Sequence, residues 1–186
     1  MATTSDFKPG LVIELDGGLF SIQDYTRVKP GKGGVYLKTK LRNLKTGVTV
    51  DKSFRAGEKI NKAYLDESKI EYLYRADNLY YFCDQTNYEE LILTDGQVGD
   101  ARRYLKENQT VTALIYKGNV ISIELPIFVE LGIMETEPGV RGDTVSGGTK
   151  PARLETGTQI QVPLFVNNGD IVRVDTRSGE YVERVS

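Results

Sequence analysis

The chain predicts an all-β protein built from small antiparallel barrels. Three observations carry that class: short runs of β-branched and aromatic residues, tight-turn residues between them, and almost no helical periodicity. Eleven Tyr and six Phe in 186 residues, with 39% hydrophobic and 27% charged residues, describe a chain that suits pleated, half-buried surfaces.

In chain order, Leu11–Leu15 and Leu19–Ile22 flank Asp16-Gly17-Gly18, which predicts a hairpin with a tight turn. A second pair, Val35–Leu41 and Gly47–Phe54, is joined through Asn43-Leu44-Lys45-Thr46, and residues 1–65 read as one compact barrel. The next strands begin at Ile70–Tyr74. Leu79–Cys83 reads as a buried strand, and Gly99–Lys106 as a helix of one or two turns with Asp100 at its N-cap. Thr110–Tyr116 and Val120–Leu125 then form a hairpin around Lys117-Gly118-Asn119. Pro126 closes this second region, 66–128. The third, 129–186, opens in the strand Phe128–Leu131 and continues through Thr158–Val162, Asp170–Val174 and Glu180–Glu183. Small antiparallel barrels of about five strands each follow.

The inventory narrows the chemistry. With no histidine and one cysteine, Cys83, the chain lacks the means for Ser-His-Asp or Cys-His catalysis, an imidazole or thiolate zinc site, or an internal disulfide. No metal and no cofactor are expected, and the protein is read as a non-enzyme. Met1–Asp6 has no basic flank or apolar core of a signal peptide, and no apolar run approaches ~18 residues. A soluble, cytoplasmic monomer without membrane contact is the expectation.

Charge is divided unevenly. Residues 1–65 hold twelve Lys and Arg against six Asp and Glu, while the remainder holds twelve against twenty. A basic first third suits phosphate-bearing partners.

Between the second and third strands lies Arg27-Val28-Lys29-Pro30-Gly31-Lys32-Gly33-Gly34-Val35. Pro30 fixes one φ, Gly31, Gly33 and Gly34 open conformations closed to other residues, and Lys32 has no bulky neighbour. Such a loop presents one long cationic side chain into a narrow space, although Pro-Gly loops with lysines also serve solubility alone. It is no P-loop, since GxxxxGK[ST] followed by a helix is missing. Lys38, Lys40, Arg42, Lys45, Lys52, Arg55, Lys59 and Lys62 read collectively as RNA-facing and singly as solvated charges. Tyr72, Tyr74, Tyr80 and Tyr81 are either base-stacking groups or core, with core favoured. Cys83 reads as a buried small hydrophobe, and Asp84, Glu89 and Glu90 as solvent-facing. Arg141-Gly142-Asp143 reads as a turn.

Several stretches resemble the bacterial elongation factor P family. They are Asp6-Phe7-Lys8-Pro9-Gly10, Val28–Gly33, Thr39–Asn43, Lys52–Lys59, Gly142–Ala152, Glu155-Thr156-Gly157, Val162–Val166, Gly169-Asp170 and Val174–Arg177. Together they cover essentially the whole chain in order. The resemblance implies a KOW-like, SH3-type barrel followed by two OB-type barrels in an L similar in outline to tRNA. It implies binding to both ribosomal subunits between the peptidyl and exit sites, contact with peptidyl-tRNA, and relief of stalling at consecutive prolines. It makes Lys32 the functional tip and a candidate for modification by a partner enzyme, with Lys29, Pro30, Gly31, Gly33 and Gly34 matching the tip pattern; Lys40 and Arg42 are expected among the RNA contacts. A general OB-type binder of single-stranded nucleic acid is the competing reading.

Overall fold

A computed structural model describes residues 2–31, 33–139 and 148–186. Lys32 and the Arg141-Gly142-Asp143 turn lie outside the described residues. The described chain is nearly all β, in three sheets.

The first sheet contains β1 (Ala2–Thr3), β2 (Val12–Leu15), β3 (Gly18–Val28), β4 (Tyr36–Asn43), β5 (Thr49–Arg55) and β6 (Lys59–Lys62). Its order is β1-β6-β2-β3-β4-β5, six strands where about five are expected. The two that the sequence does not mark, β1 and β6, are short, and Lys59-Ile60-Asn61-Lys62 turns only Ile60 inward, too thin an alternation to register in sequence. The first hairpin forms as expected: Leu15 pairs with Gly18, and Asp16 and Gly17 take φ of 51° and 78°. Two consecutive positive φ values define the primed turn whose twist matches antiparallel strands.

Ile13, Ile22 and Leu41 are fully buried beneath this sheet with Phe54 and Leu37. The polar Thr4 ties the ends together. It is buried, and its hydroxyl accepts from Gly57 N–H at 2.8 Å and donates to Arg55 C=O at 3.3 Å. The Arg55-Ala56-Gly57-Glu58 turn is held further by Glu58, whose carboxylate accepts the Arg55 N–H at 2.8 Å.

The second sheet contains β7 (Asp66–Ala76), β8 (Leu79–Asp84), β9 (Glu90–Thr94), β10 (Thr110–Tyr116) and β11 (Asn119–Glu124), in the order β11-β10-β7-β8-β9. Strand β8 is not buried on both sides as expected. Its burial alternates, with Tyr80, Phe82 and Asp84 inward, so Cys83 falls on the other face and is only half-buried. The same parity corrects Asp84: it is buried, and its carboxylate accepts from the backbone N–H of Thr86 at 2.7 Å and Asn87 at 3.4 Å. It organises a turn.

The expected helix at Gly99–Lys106 is displaced. A single α-turn occupies Asp95–Val98 and a 3₁₀ segment Gly99–Arg103. Gly99 has φ +55°, outside the right-handed region, so α geometry stops there and Asp100 is not its N-cap.

The third sheet contains β12 (Phe128–Thr136), β13 (Thr149–Leu154), β14 (Gln159–Pro163), β15 (Ile171–Asp175) and β16 (Glu180–Arg184). Its order is β14-β13-β12-β15-β16, and the two edge strands approach one another, curling the sheet toward closure. Leu131, Leu154, Val162, Val166, Val172 and Val174 are fully buried within it. Strand β13 escaped the sequence reading because Pro151 interrupts it. Pro151 lies one residue past the last β12 pair, Thr136 with Ala152, where no ladder donor is required of it on that side.

By compactness the chain forms two units. One is Met1–Ser68 with Asp95–Gly99 and Ala113–Ser122; the other is Lys69–Thr94 with Asp100–Thr112 and Ile123–Ser186. Among the described residues, no helix is long and apolar enough to cross a membrane.

Candidate nucleic-acid interface

Strand β3 changes character halfway along. The ladder to β4 shifts register between Ile22 and Asp24, a bulge at Gln23 that bends a strand and raises its twist. Before the bulge Ile22 is fully buried; after it Gln23, Asp24, Tyr25, Thr26 and Arg27 are all exposed. The β3–β4 ladder continues regardless as far as Val28 with Tyr36. Strand β4 there also pairs with β5, from Tyr36 with Arg55 to Lys40 with Asp51, so the result is a three-stranded arm whose exposed outer edge is the second half of β3.

That edge has a partner strand on one side alone and exposes its side chains, so it depends on packing from elsewhere in the chain. Phe7, buried, provides it. Its ring meets Tyr25 edge-on at 6.1 Å and Phe54 at 5.3 Å, contacts worth about 0.5–1.5 kcal/mol each beyond burial. Gly10, with φ +86°, lets the chain turn after Phe7 so that its N–H reaches Ile22 C=O at 2.8 Å. The opening Asp6–Gly10 stretch is therefore a buttress for the arm.

Residues 29–31 and 33–35 follow at the arm's end, between β3 and β4. Lys29, Gly31, Gly33 and Gly34 are exposed and Pro30 is half-buried. Gly33 has φ +121°, a conformation that strains any side-chain-bearing residue, and a Cβ there would lie 3.6 Å from Pro30 Cγ. A Cβ at Gly31 or Gly34 would meet nothing within 4 Å. Backbone held away from side chains in this way leaves room for another molecule to approach it closely.

Strand β4 supplies the basic face. Leu37, Thr39 and Leu41 point inward and Lys38, Lys40 and Arg42 outward, the period of a half-buried strand. The ladder shows that these three cations are not equivalent. Lys40 lies in register between Asp24 on β3 and Asp51 on β5, whereas Lys38 lies between Thr26 and Ser53 and Arg42 between Ser21 and Thr49. The carboxylates across the strands temper Lys40, and the charges of Lys38 and Arg42 project with no acidic residue beside them in the ladder. That difference depends on register and is not legible in sequence.

Lys45 sits on a turn built by Asn43, whose side-chain oxygen accepts from Lys45 N–H at 2.8 Å and Thr46 N–H at 3.0 Å. Lys52 pairs with Asp16 at 3.3 Å, and the Lys62 ammonium lies 4.7 Å from the Tyr64 ring centre. Both are partly committed within the protein. Arg55 and Lys59 are exposed.

The four tyrosines divide by face. Tyr72 and Tyr80 are buried, with the Tyr72 phenol pushed up by burial and then by its neighbours Tyr80 and Glu107. Tyr74 is exposed and stacks on Tyr81, centroids 4.6 Å apart at 12°.

Farther along the chain, residues shared with the resemblance, with Thr158 beside them, do structural work. Glu155 accepts Gly132 N–H at 2.8 Å, the Thr156 and Thr158 hydroxyls donate to Arg103 C=O at 2.6 and 2.8 Å, and Lys150, buried, donates to Glu137 C=O at 2.6 Å. Arg177 grips Asp175 through its guanidinium and its backbone N–H, holding that carboxyl down to about 2.

Comparison with known proteins agrees with this geometry. Residues 3–60 match the family model described as "Elongation factor P (EF-P) KOW-like domain", 65–123 that of the "Elongation factor P (EF-P) OB domain", and 129–184 that of "Elongation factor P, C-terminal". The chain is 52% identical over 185 residues to "Elongation factor P" of Natranaerobius thermophilus, covering 100% of this chain and 98% of that one. It is 50% identical over 184 residues to "Elongation factor P" of Moorella thermoacetica, covering 99% and 100%. Among solved structures, "Eukaryotic translation initiation factor 5A from Methanococcus jannaschii" superposes with a TM-score of 0.54 at 20% identity. That match covers 67% of this chain and 90% of that one, a likeness of fold. With all three sheets matched and half the residues identical along its full length, the chain belongs to the elongation factor P family and is a translation elongation factor.

Proposed function

We propose that this chain binds the ribosome between the peptidyl and exit sites and speeds peptide-bond formation at consecutive prolines, by positioning peptidyl-tRNA through the loop that carries Lys32. The observation that carries the proposal is the buttressed β3–β4–β5 arm, whose glycine-rich end is open to approach and whose outer face carries Lys38 and Arg42. Proline is a hindered, conformationally restricted nucleophile. A factor that holds the tRNA end and nascent chain near their reactive geometry removes part of the entropic barrier without transferring a proton. The reaction belongs to the ribosome, and this chain acts on it as a non-enzymatic partner without metal or cofactor.

In this reading Lys32 reaches the tRNA end, and a covalent extension placed on it by a modifying enzyme lengthens that reach. Lys29 and Arg42, with Lys40 more weakly, contact the RNA backbone. The chain works as a cytoplasmic monomer whose three parts divide at 1–65, 66–128 and 129–186. Exchange of Lys32 for Ala tests it on ribosomes stalled at a run of prolines. We expect the variant to keep its fold and most of its ribosome affinity while rescue is lost; undiminished rescue contradicts the positioning role.

The Tyr74–Tyr81 stack, exposed at Tyr74 and half-buried at Tyr81, favours one other reading, a general binder of single-stranded nucleic acid. That reading requires tight binding of free single strands and indifference to ribosomes.

A further inference from the structure

Unit 2 contains a cleft of about 400 Å³ that the Lys32 mechanism does not use. Arg75, Arg102 and Arg103 line it together with Tyr80, Thr156 and Thr158. Residues 66–186 carry twelve basic and twenty acidic side chains, so three arginines on one concave wall are a local reversal of sign. A cavity of this size falls in the range of ligand sites.

The arginines are prepared in different ways. The Arg75 guanidinium lies over the Tyr80 ring, 5.1 Å from its centre, and makes a long contact of 3.5 Å with Asn78 Oδ1. Stacking on a ring occupies the face of a guanidinium and leaves its edge donors directed outward. Arg103 is exposed, but its backbone carbonyl is clamped by the hydroxyls of Thr156 and Thr158, so its side chain springs from a fixed point. Arg102 is engaged within the fold and adds its charge to the wall. Planar, always-charged donors of this kind suit phosphate oxygens. Tyr72 and Tyr80 expose too little ring, 7% and 3%, to stack on a base.

We propose that this cleft captures a phosphodiester of ribosome-bound RNA through Arg75 and Arg103, a second, sequence-independent anchor separate from the Lys32 loop. Backbone capture fixes register without reading bases, which is what a factor acting at every proline stall requires. The choice of RNA as partner rests on the function proposed above.

The test is equilibrium binding of the full chain to ribosomes carrying peptidyl-tRNA between about 50 and 200 mM salt, with hydroxyl-radical footprinting of the RNA. Arg103→Gln and Arg75→Gln are each expected to weaken binding roughly tenfold, the cost of one charge-assisted contact, and to flatten the salt dependence by about 0.7–0.9 in slope. Arg103→Gln should also unmask a short stretch of backbone, in tRNA or ribosomal RNA, that the parent protects. Arg75→Lys should restore the salt slope, and thermal melting of each variant shows that the fold is retained. Unchanged affinity and footprint in Arg103→Gln, with its fold intact, overturn the proposal; weakened binding with no backbone unmasked also overturns it, pointing to a protein carboxylate in the cleft. If Lys32→Ala leaves rescue intact while the arginine footprint changes as expected, the positioning mechanism fails and the anchor stands.

Discussion

Thr39 is a polar residue placed in the core of the first sheet. It is fully buried on β4, and among the described residues its hydroxyl has no hydrogen-bond partner. A buried hydroxyl without a partner costs about 1–3 kcal/mol, and valine has nearly the same shape. Thr39→Val is therefore expected to raise stability by about 1 kcal/mol, read as a higher midpoint in urea unfolding with an unchanged slope. A lower midpoint would reveal a partner for that hydroxyl. Asp175 gives a pH prediction. Its carboxyl sits at about 2 against an ordinary 3.8, held down first by the Arg177 guanidinium and then by the Arg177 backbone N–H. A folded value below the unfolded one means that the contribution is complete above about pH 4 and is lost as the pH falls toward 2. Melting temperatures of Asp175→Asn should fall less steeply than those of the parent across that window, and parallel acid limbs would contradict the assignment.

At the scale of elements, the arm of β3, β4 and β5 depends on a residue outside it. Phe7 joins the Tyr25 and Phe54 rings, so Phe7→Ala is expected to cost about 3–5 kcal/mol. Amide exchange should quicken most in residues 23–28 and 36–40, and little in the third sheet. Uniform quickening would show that Phe7 supports the core generally, not the arm. The hairpins were legible because turn chemistry is local: Asp16-Gly17 and Lys117-Gly118 both take paired positive φ. The short β6, the proline-bearing β13 and the 3₁₀ segment after Gly99 were not, since tertiary pairing or one backbone angle decides them. The same limit applied to the site. Alternation along β4 marked Lys38, Lys40 and Arg42 as outward residues, but the flanking of Lys40 by Asp24 and Asp51 exists only in the register of three strands. Nor could sequence bring Arg75, Arg103 and Thr156 to one cleft.

The whole molecule joins a basic first third to a remainder whose net charge is acidic, and the function proposed for it rests on one loop of the first. Three matched regions place the chain in its family; the claim that matters beyond membership is that residue 32 arrives at the end of peptidyl-tRNA. The most direct measurement puts a short photo-crosslinker at position 32 and irradiates the factor on ribosomes stalled between two prolines. Crosslinks confined to the 3′-terminal nucleotides of the peptidyl-site tRNA are the predicted result. Crosslinks to ribosomal protein or to the factor itself, with the tRNA end untouched, would contradict the account.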